Sequence, residues 1–314
     1  MYKTMLLIRR LEERIAETYA KGGIPGEMHL YCGQEAIAVG VCSQLRDTDT
    51  ATSTHRAHGE LVAKGVDLKK MVAELFGRST GLCRGKGGHM HLFDTSIKFS
   101  CSGIVGASMP PALGAAFASK YKDEDNVSVA FFGDGAANQG MFHESMNLAA
   151  LWKLPVIFVC EDNEFGISVR KSESTSTDNN IMRAKGYGIP AVLVDGNDLL
   201  AVYDAAKEAV ERARSGKGPS FIECTTFRLM GHFEGDPEVY KSEEEQQQAL
   251  KNEPIERFKK YLQNKGNISD DNFTRIDKEV KQEIQEAFEY AEKSPWPRPE
   301  EALENVFTEG SVGE

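Results

Sequence analysis

The stretch VSVAFFGDGAANQGMFHESMNLAALWKLPVIFVCEDNEFGIS, residues 127–168, decides the predicted fold. It opens with a short apolar run at 127–132, whose β-branched and aromatic residues predict a buried strand. A glycine-rich turn follows, and the spacing predicts a helix from about Gln139 to Trp152. A second apolar run at 156–160 predicts another strand. Alternation of strand and helix recurs over 191–228, which is typical of a parallel sheet with helices on both faces.

Two polar side chains stand where these predicted strands end. Asp134 follows the first strand and Asn163 follows the second. In an open parallel sheet, ligands bind beyond the carboxyl ends of the strands, and a helix that begins there attracts anions. Carboxylate and amide oxygens suit Mg²⁺, which often binds phosphates as well. An ordinary strand-to-helix turn would carry the same glycines, but it does not account for Asn163.

Spacing excludes two better-known glycine-rich motifs. A dinucleotide fold needs G-x-G-x-x-G, whereas Gly133-Asp134-Gly135 is followed next by Gly140. The segment GLCRGKGG at 81–88 is one residue short of a P-loop and has Gly87 where Ser or Thr should follow the lysine. We therefore expect a metal-diphosphate site of another kind.

A Gly-Asp-Gly turn with an Asn 29 positions after the Asp resembles the thiamine diphosphate signature. The segments GDGAANQG and AALWKLPVIFVCEDN are similar to the α-subunit of the decarboxylating component of 2-oxo acid and acetoin dehydrogenase complexes. The similarity extends from the N-terminus to about Tyr240. Members of that family usually have Asn-Asn where this chain has Asp162-Asn163, and the second position is intact.

The resemblance implies a thiamine diphosphate-binding α/β fold and a set of site residues. The implied cofactor-binding residues are His55, Arg56, Gly103, Val105, Gly133, Asp134, Gly135, Ala136, Asn163, Phe165 and His232. The implied Mg²⁺ ligands are Asp134, Asn163 and the backbone carbonyl of Phe165. The implied catalytic residues are His29, His55 and His232.

Most of these positions carry little signal without the resemblance. A lone histidine such as His29 is more often structural than catalytic, and Arg56 is as compatible with a surface charge as with a forked contact to a diphosphate. His89 and His91 alternate in a glycine-rich loop, but no cysteine or third histidine stands beside them in sequence. A metal pair is therefore disfavoured there.

The resemblance also implies partners and an activity. The Glu that protonates the aminopyrimidine ring is missing here, which implies a β-subunit and an assembly of two α and two β chains. A lipoyl-bearing acyltransferase component would accept the two-carbon unit. His55, in place of a common Tyr, and GHFEGDP at 231–237 are similar to the acetoin-cleaving subgroup, which releases acetaldehyde.

Alternatives remain for this activity. Pyruvate and branched-chain 2-oxo acids are the alternative substrates. A nucleotide-binding oxidoreductase lacks its motif, and a non-catalytic scaffold leaves Asp134 and Asn163 unexplained.

Composition narrows the class of protein. The 314 residues carry 37 Lys and Arg against 48 Asp and Glu, a net charge of −11, which disfavours nucleic acid and anionic membranes as partners. The six cysteines show no C-x-x-C pairing and indicate reduced thiols. No apolar run is long enough to span a membrane. We expect a cytoplasmic enzyme.

The chain divides by composition into two predicted parts. Residues 1–240, with an N-terminal helix at 3–20, form the predicted cofactor-binding domain, and 241–314 form a helical C-terminal extension rich in Glu, Gln and Lys. Trp296 and Phe307 are its predicted docking anchors. Residues 169–190 are predicted to be a long surface loop that orders over bound cofactor, so thiamine diphosphate should protect it from proteolysis.

Overall fold

A seven-stranded sheet forms the centre of the computed structural model, which describes residues 1–266 and 268–306. The strands are β1 Thr50–Ser53, β2 Phe93–Asp94, β3 Phe99–Cys101, β4 Ser128–Gly133, β5 Val156–Asp162, β8 Ala191–Asp195 and β9 Ser220–Thr225, with a separate hairpin of β6 Phe165–Gly166 and β7 Val169–Arg170. The sheet order is β2-β3-β1-β4-β5-β9-β8. Among the described strands of this sheet, β2–β3 at the edge is the only antiparallel pair, so the predicted parallel α/β fold is confirmed.

The helices are α1 Tyr2–Ala20, α2 Glu35–Cys42, α3 His58–Ala63, α4 Leu68–Leu75, α5 Met109–Tyr121, α6 Gly140–Trp152, α7 Lys171–Ser174, α8 Ile181–Gly186, α9 Leu199–Arg214, α10 Glu243–Lys251, α11 Pro254–Asn264 and α12 Asp270–Lys293, with 3-10 turns at Asp134–Asn138 and Pro299–Leu303. None of the helices in the described part of the chain combines the length and apolarity needed to cross a membrane.

Helices cover both faces of the sheet because successive strand residues point to opposite sides. Along β4, Val129 and Phe131 belong to one buried apolar cluster, whereas Ala130 and Phe132 belong to a second cluster on the other face. All four side chains are buried. The continuous apolar run that predicted this strand thus reflects burial on both faces.

The C-terminal helices pack on the same apolar cluster as the N-terminal helix. Tyr2 in α1 and Phe273 in α12 have ring centroids 4.9 Å apart in an edge-on contact. Phe76 and Phe288 make a similar contact at 5.7 Å. The predicted helices of the extension are thus present, and the division of the chain at residue 240 stays a prediction.

The two predicted docking anchors of the extension are Trp296 and Phe307. Trp296 is 63% exposed, and the guanidinium carbon of Arg78 lies 3.7 Å from its ring centroid. Phe307 lies outside the described residues. Trp296 therefore contacts the body of the chain through a cation–π pair.

The predicted loop at 169–190 is partly wrong, because it contains the short helices α7 and α8. The side chain of Glu223 in β9 accepts hydrogen bonds from the backbone N–H groups of Asn180 and Ile181, at 2.6 and 3.1 Å. These long-range contacts stabilise helical turns that the polar composition of the segment does not indicate. Its response to cofactor stays a prediction.

Candidate active site

A cleft of about 550 Å³ opens at the carboxyl ends of the parallel strands. The chain leaves β1 toward β3 on one side, and it leaves β4 toward β5 on the other side. Strand order therefore reverses between β1 and β4, the position at which open α/β sheets bind ligands. The segments that follow β1, β3, β4, β5 and β9 all contribute lining residues.

The structure brings all of the sequence-predicted site residues to this one cleft. Its lining includes His29, His55, Arg56, Gly103, Val105, Gly133, Asp134, Gly135, Ala136, Asn163, Phe165 and His232. The chain approaches itself closely here, since a Cβ on Gly135 would lie 3.4 Å from the Cα of Gly166. The individual roles of these residues stay predictions.

Arg56 brings a buried positive charge to the cleft. It is 4% exposed, and its Nη2 donates to the carbonyl of His232 at 2.7 Å, while Nη1 donates to the carbonyl of Leu30. Burial and the neighbouring Arg228 lower the pKa of Arg56 to about 10. Arg56 therefore stays protonated at neutral pH, and a diphosphate would neutralise the charge.

Asp134 and Asn163 form the candidate metal-binding corner. The Oδ2 atom of Asp134 is buried and has no hydrogen-bond partner within the described residues. Burial and, to a smaller extent, Asp162 raise the pKa of Asp134 to about 7. Asn163 donates from Nδ2 to Oε1 of Gln34 at 2.8 Å, and its Oδ1 accepts one long hydrogen bond of 3.4 Å from the N–H of Phe165, which leaves a second lone pair of Oδ1 for a metal ion. A divalent cation would satisfy the unpaired carboxylate, so these residues fit Mg²⁺.

The remaining predicted ligand, the carbonyl of Phe165, accepts one long hydrogen bond of 3.5 Å from Nη1 of Arg228. A carbonyl oxygen has two lone pairs, so one remains available. Nε2 of Gln34 is also buried without a partner in the described chain. An anionic oxygen would accept from that amide, as expected of a site that holds a metal ion together with a diphosphate.

His29, His55 and His232 lie together, with ring centroids 4.6 to 5.4 Å apart. Burial, followed by neighbouring positive groups, lowers their pKa values to about 2, 3 and 4 respectively. All three rings are therefore neutral at pH 7. One ring nitrogen from each lies within 4.8 Å of the others. The guanidinium of Arg56 is 3.5 Å from Nδ1 of His232, and this charge opposes a transition metal ion at the trio.

Comparison with known proteins decides the family. A family model described as "Dehydrogenase E1 component" matches residues 3–300. The chain belongs to the dehydrogenase E1 component family.

Three relatives match the E1 chain over nearly their full length. The α-subunit of acetoin:2,6-dichlorophenolindophenol oxidoreductase from Bacillus subtilis (strain 168) is 48% identical over 315 residues, which cover 100% of this chain and 94% of that protein. The subunit of the same name from Cupriavidus necator is 43% identical over 309 residues, covering 98% and 93%. The α-subunit of the pyruvate dehydrogenase E1 component from Rhizobium meliloti (strain 1021) is 43% identical over 308 residues, covering 98% and 88%.

Buried carboxylates lie behind the cleft of this E1 component. Glu161 lines the cleft at the end of β5 and accepts a hydrogen bond from the hydroxyl of Tyr31. Burial raises the pKa of Glu161 to about 7. Glu60 accepts from the hydroxyl of Ser53 at 2.8 Å, and burial together with the charge of Glu161 raises its pKa well above the usual range. The E1 chain thus holds two buried acids whose pKa values are both raised, while the Tyr31 hydroxyl and Arg56 oppose the rise at Glu161.

Asp162, the departure from the usual Asn-Asn, has a contact that explains it. The ammonium of Lys171 in α7 contacts the carboxylate of Asp162 directly and lies 3.1 Å from Oε1 of Glu223. Asp162 and Glu223 are buried, and the single ammonium that contacts both carboxylates offsets part of their charge. The substitution therefore attaches α7 to the strands beside the candidate metal corner.

Sequence reasoning missed several lining residues of the E1 cleft, namely Gln34, Glu161 and Arg228. Arg228 is 1% exposed and donates to the carbonyl of Ile167 at 2.8 Å and to the hydroxyl of Tyr240 at 2.7 Å. Glu161 directly precedes Asp162-Asn163, so its position at a strand end was a usable signal. Gln34 and Arg228 are recognisable only from contacts that are distant in sequence.

Proposed function

We propose that this E1 component is the α-subunit of a thiamine diphosphate- and Mg²⁺-dependent enzyme that cleaves acetoin, releases acetaldehyde and transfers the two-carbon unit to a lipoyl group. The unpaired carboxylate oxygen of Asp134, buried in the cleft that also holds Arg56, is the observation that carries the cofactor assignment. A metal ion beside Asp134 and a diphosphate beside Arg56 would neutralise both buried charges.

The site residues of the chain would have separate roles in binding the metal ion, the cofactor and the substrate. Asp134, Asn163 and the carbonyl of Phe165 would hold Mg²⁺, and Arg56 with His232 would bind the diphosphate. Thiamine diphosphate supplies a carbanion equivalent and an electron sink when it is bound. Gly103 and Val105 would contact its aminopyrimidine ring. The neutral rings of His29 and His55 would form hydrogen bonds to the substrate oxygen, within whose reach such groups must lie.

An apolar rim at the cleft mouth supports the proposal of a β-subunit. Ile104 is 65% exposed, Val105 is 50%, Ile167 is 60% and Val169 is 46%, and all four line the cleft. Clustered exposed apolar side chains indicate a surface that another chain covers. We propose that a β-subunit packs here in an assembly of two α and two β chains, that a lipoyl-bearing acyltransferase component is the further partner, and that the enzyme is cytoplasmic.

Acetoin is the preferred substrate because this chain is 48% identical to an acetoin oxidoreductase subunit. His55, and Phe233 in the GHFEGDP segment, also resemble the acetoin-cleaving subgroup. Pyruvate is the second candidate, since relatives at 43% identity are pyruvate dehydrogenase subunits. Branched-chain 2-oxo acids follow. The two leading substrates differ in the bond that is cleaved, so turnover separates them.

The test uses this chain co-expressed with its β-subunit. Calorimetry should show thiamine diphosphate binding that requires Mg²⁺ and is lost in Asp134→Ala. Asp204→Ala, a change of the same type at an exposed position of α9, should bind normally. The enzyme is then assayed with acetoin and with pyruvate, using 2,6-dichlorophenolindophenol as electron acceptor. Absence of binding in the assembled wild type would refute the cofactor assignment, and faster turnover of pyruvate would refute acetoin.

A further inference from the structure

His29 does not stand alone at the cleft wall, because a second buried histidine lies directly behind it. Nδ1 of His29 and Nε2 of His89 are 3.1 Å apart, a hydrogen-bond distance. His89 comes from the glycine-rich loop between α4 and β2, 60 positions further along the chain. The two rings are 4% and 5% exposed. His91, two positions beyond His89, is exposed and takes no part in this pair.

Each ring of the pair carries one proton. Burial is the main cause that lowers the pKa of both His29 and His89 to about 2. The positive or polar groups that face His29 are His55, Arg56, His89 and His232, and they act in the same direction. Both rings are therefore neutral imidazoles at neutral pH. One of them must donate the shared hydrogen bond and the other must accept it.

The surroundings of His89 indicate which ring donates. Its other nitrogen, Nδ1, is buried and has no partner among the described residues. Among buried backbone groups an unpaired N–H is rarer than an unpaired acceptor, and we extend this preference to the ring nitrogens of His89. The nearest further histidine, His58, offers no hydrogen bond, since its Nδ1 pairs with Glu12 at 2.9 Å and its Nε2 has no partner in the described chain. His89 therefore carries its proton on Nε2 and donates it.

This assignment for His89 also determines which nitrogen of His29 is protonated. If Nδ1 of His29 accepts from His89, the proton of His29 must reside on Nε2. The hydrogen bond found for His29 among the described residues uses Nδ1, and His29 lines the cleft. Nε2–H is thus the remaining donor of a ring that lines the cleft where substrate would bind.

We propose that His89 is a positioning residue, which fixes His29 as the Nε2–H tautomer and so presents a hydrogen-bond donor, not a base, to the substrate oxygen. This inference rests on the proposed function. A neutral imidazole that donates stabilises the negative charge that develops on a carbonyl oxygen without itself being deprotonated. No proton needs to leave His29, and the acid–base step belongs to other groups.

Two substitutions of similar length separate the possibilities. His89→Gln keeps an N–H donor, whereas His89→Met leaves only a weak acceptor and favours a proton on Nδ1 of His29. Loss of a directed donor costs about 10²- to 10³-fold in turnover, and a thioether shifts the tautomer only in part. We therefore expect kcat to fall about tenfold in the Met variant, with KM and cofactor affinity unchanged, and to recover in the Gln variant. His91→Met is the matched control at the exposed position.

A direct readout does not depend on turnover. This chain alone is labelled with ¹⁵N-histidine, assembled with the unlabelled β-subunit and measured without cofactor by solid-state NMR. The His29 signals are assigned by their loss in His29→Gln. We expect a protonated Nε2 and an unprotonated Nδ1 in the wild type, and a shift of the proton toward Nδ1 in His89→Met.

The outcomes distinguish this inference from the proposed function. A wild-type His29 that carries its proton on Nδ1 would overturn the inference, as would equal turnover of the Gln and Met variants. Failure of the assembled wild type to bind thiamine diphosphate would refute the proposed function, and the NMR result would still decide the tautomer.

Discussion

Asp134→Asn is expected to stabilise the cofactor-free protein at neutral pH while it weakens metal-dependent cofactor binding. The wild-type carboxylate is buried, and its Oδ2 has no partner within the described chain. In the absence of a metal ion, ionisation of this group therefore opposes folding. An amide at the same position remains uncharged at every pH.

The expected magnitude follows from the pKa of Asp134. A rise from 3.8 to about 7 corresponds to about 4 kcal/mol of lost stability above pH 7, at about 1.36 kcal/mol per pH unit. The sign follows because the folded state binds the proton more tightly, so stability is lost as pH rises from about 4 to about 7. The Asn variant escapes this loss but buries an unpaired N–H₂ group, which costs about 1–3 kcal/mol. The net gain is about 1–3 kcal/mol at pH 8 and near zero at pH 5.

Thermal unfolding at pH 5 and pH 8, without Mg²⁺ and thiamine diphosphate and at equal protein concentrations, measures this difference. Other buried acids such as Glu161 contribute equally to both proteins, so they cancel in the comparison. Asp204→Asn on the exposed face of α9 controls for loss of one negative charge. A variant that is no more stable than wild type at pH 8, or whose advantage is the same at both pH values, would refute the reasoning.

Three further changes test other contacts. Arg56→Lys should weaken thiamine diphosphate binding at least about tenfold in calorimetry, because one ammonium cannot replace a fork that also holds two backbone carbonyls; an unchanged Kd would contradict this. Lys171→Met should destabilise the protein by about 3 kcal/mol and accelerate proteolysis within 171–181, since Asp162 and Glu223 lose their counter-charge. Lys185→Met, an exposed position in α8, is its control, and equal cleavage rates would count against the role of Lys171. Tyr31→Phe should cost about 1–3 kcal/mol in thermal unfolding at pH 8 by leaving Glu161 unpaired, and an unchanged Tm would show that another group satisfies it.

The sequence was sufficient where the signal is local. The strand at 127–132, the turn at Asp134 and the helix that follows were predicted because a buried strand is a continuous apolar run and glycines mark the turn. The resemblance then brought together His55, Gly103 and His232, which no local rule connects. Their convergence on one cleft depends on strand order, which the residues of each strand do not encode individually.

Where prediction from the sequence failed, the contact that determines the local structure joins residues far apart in sequence. Residues 169–190 have the composition of a loop, yet Lys171 and Asn180 bind carboxylates on β5 and β9. Gln34 directly precedes α2, but its contact with Asn163 joins positions 129 apart. His89 was considered with His91, its neighbour in sequence, whereas its hydrogen-bond partner is His29. Sequence spacing identifies neighbours along an element, and it gives no access to pairs that the fold brings together.

The cleft contains two buried ionisable groups, Arg56 and Asp134, together with three histidine rings that are uncharged. Arg56 and Asp134 are buried ionisable groups whose pKa values move toward the neutral forms, and neither has a direct counter-ion within hydrogen-bond distance in the described chain. Such an arrangement costs stability and persists in proteins where function requires it. The three cleft histidines, by contrast, are neutral without any ligand because burial and, to a smaller extent, Arg56 oppose their protonation. A bound metal-diphosphate would compensate the charges of Arg56 and Asp134 together and would thereby stabilise the fold. The same binding event would place the cofactor in the cleft in which neutral His29 donates its hydrogen bond.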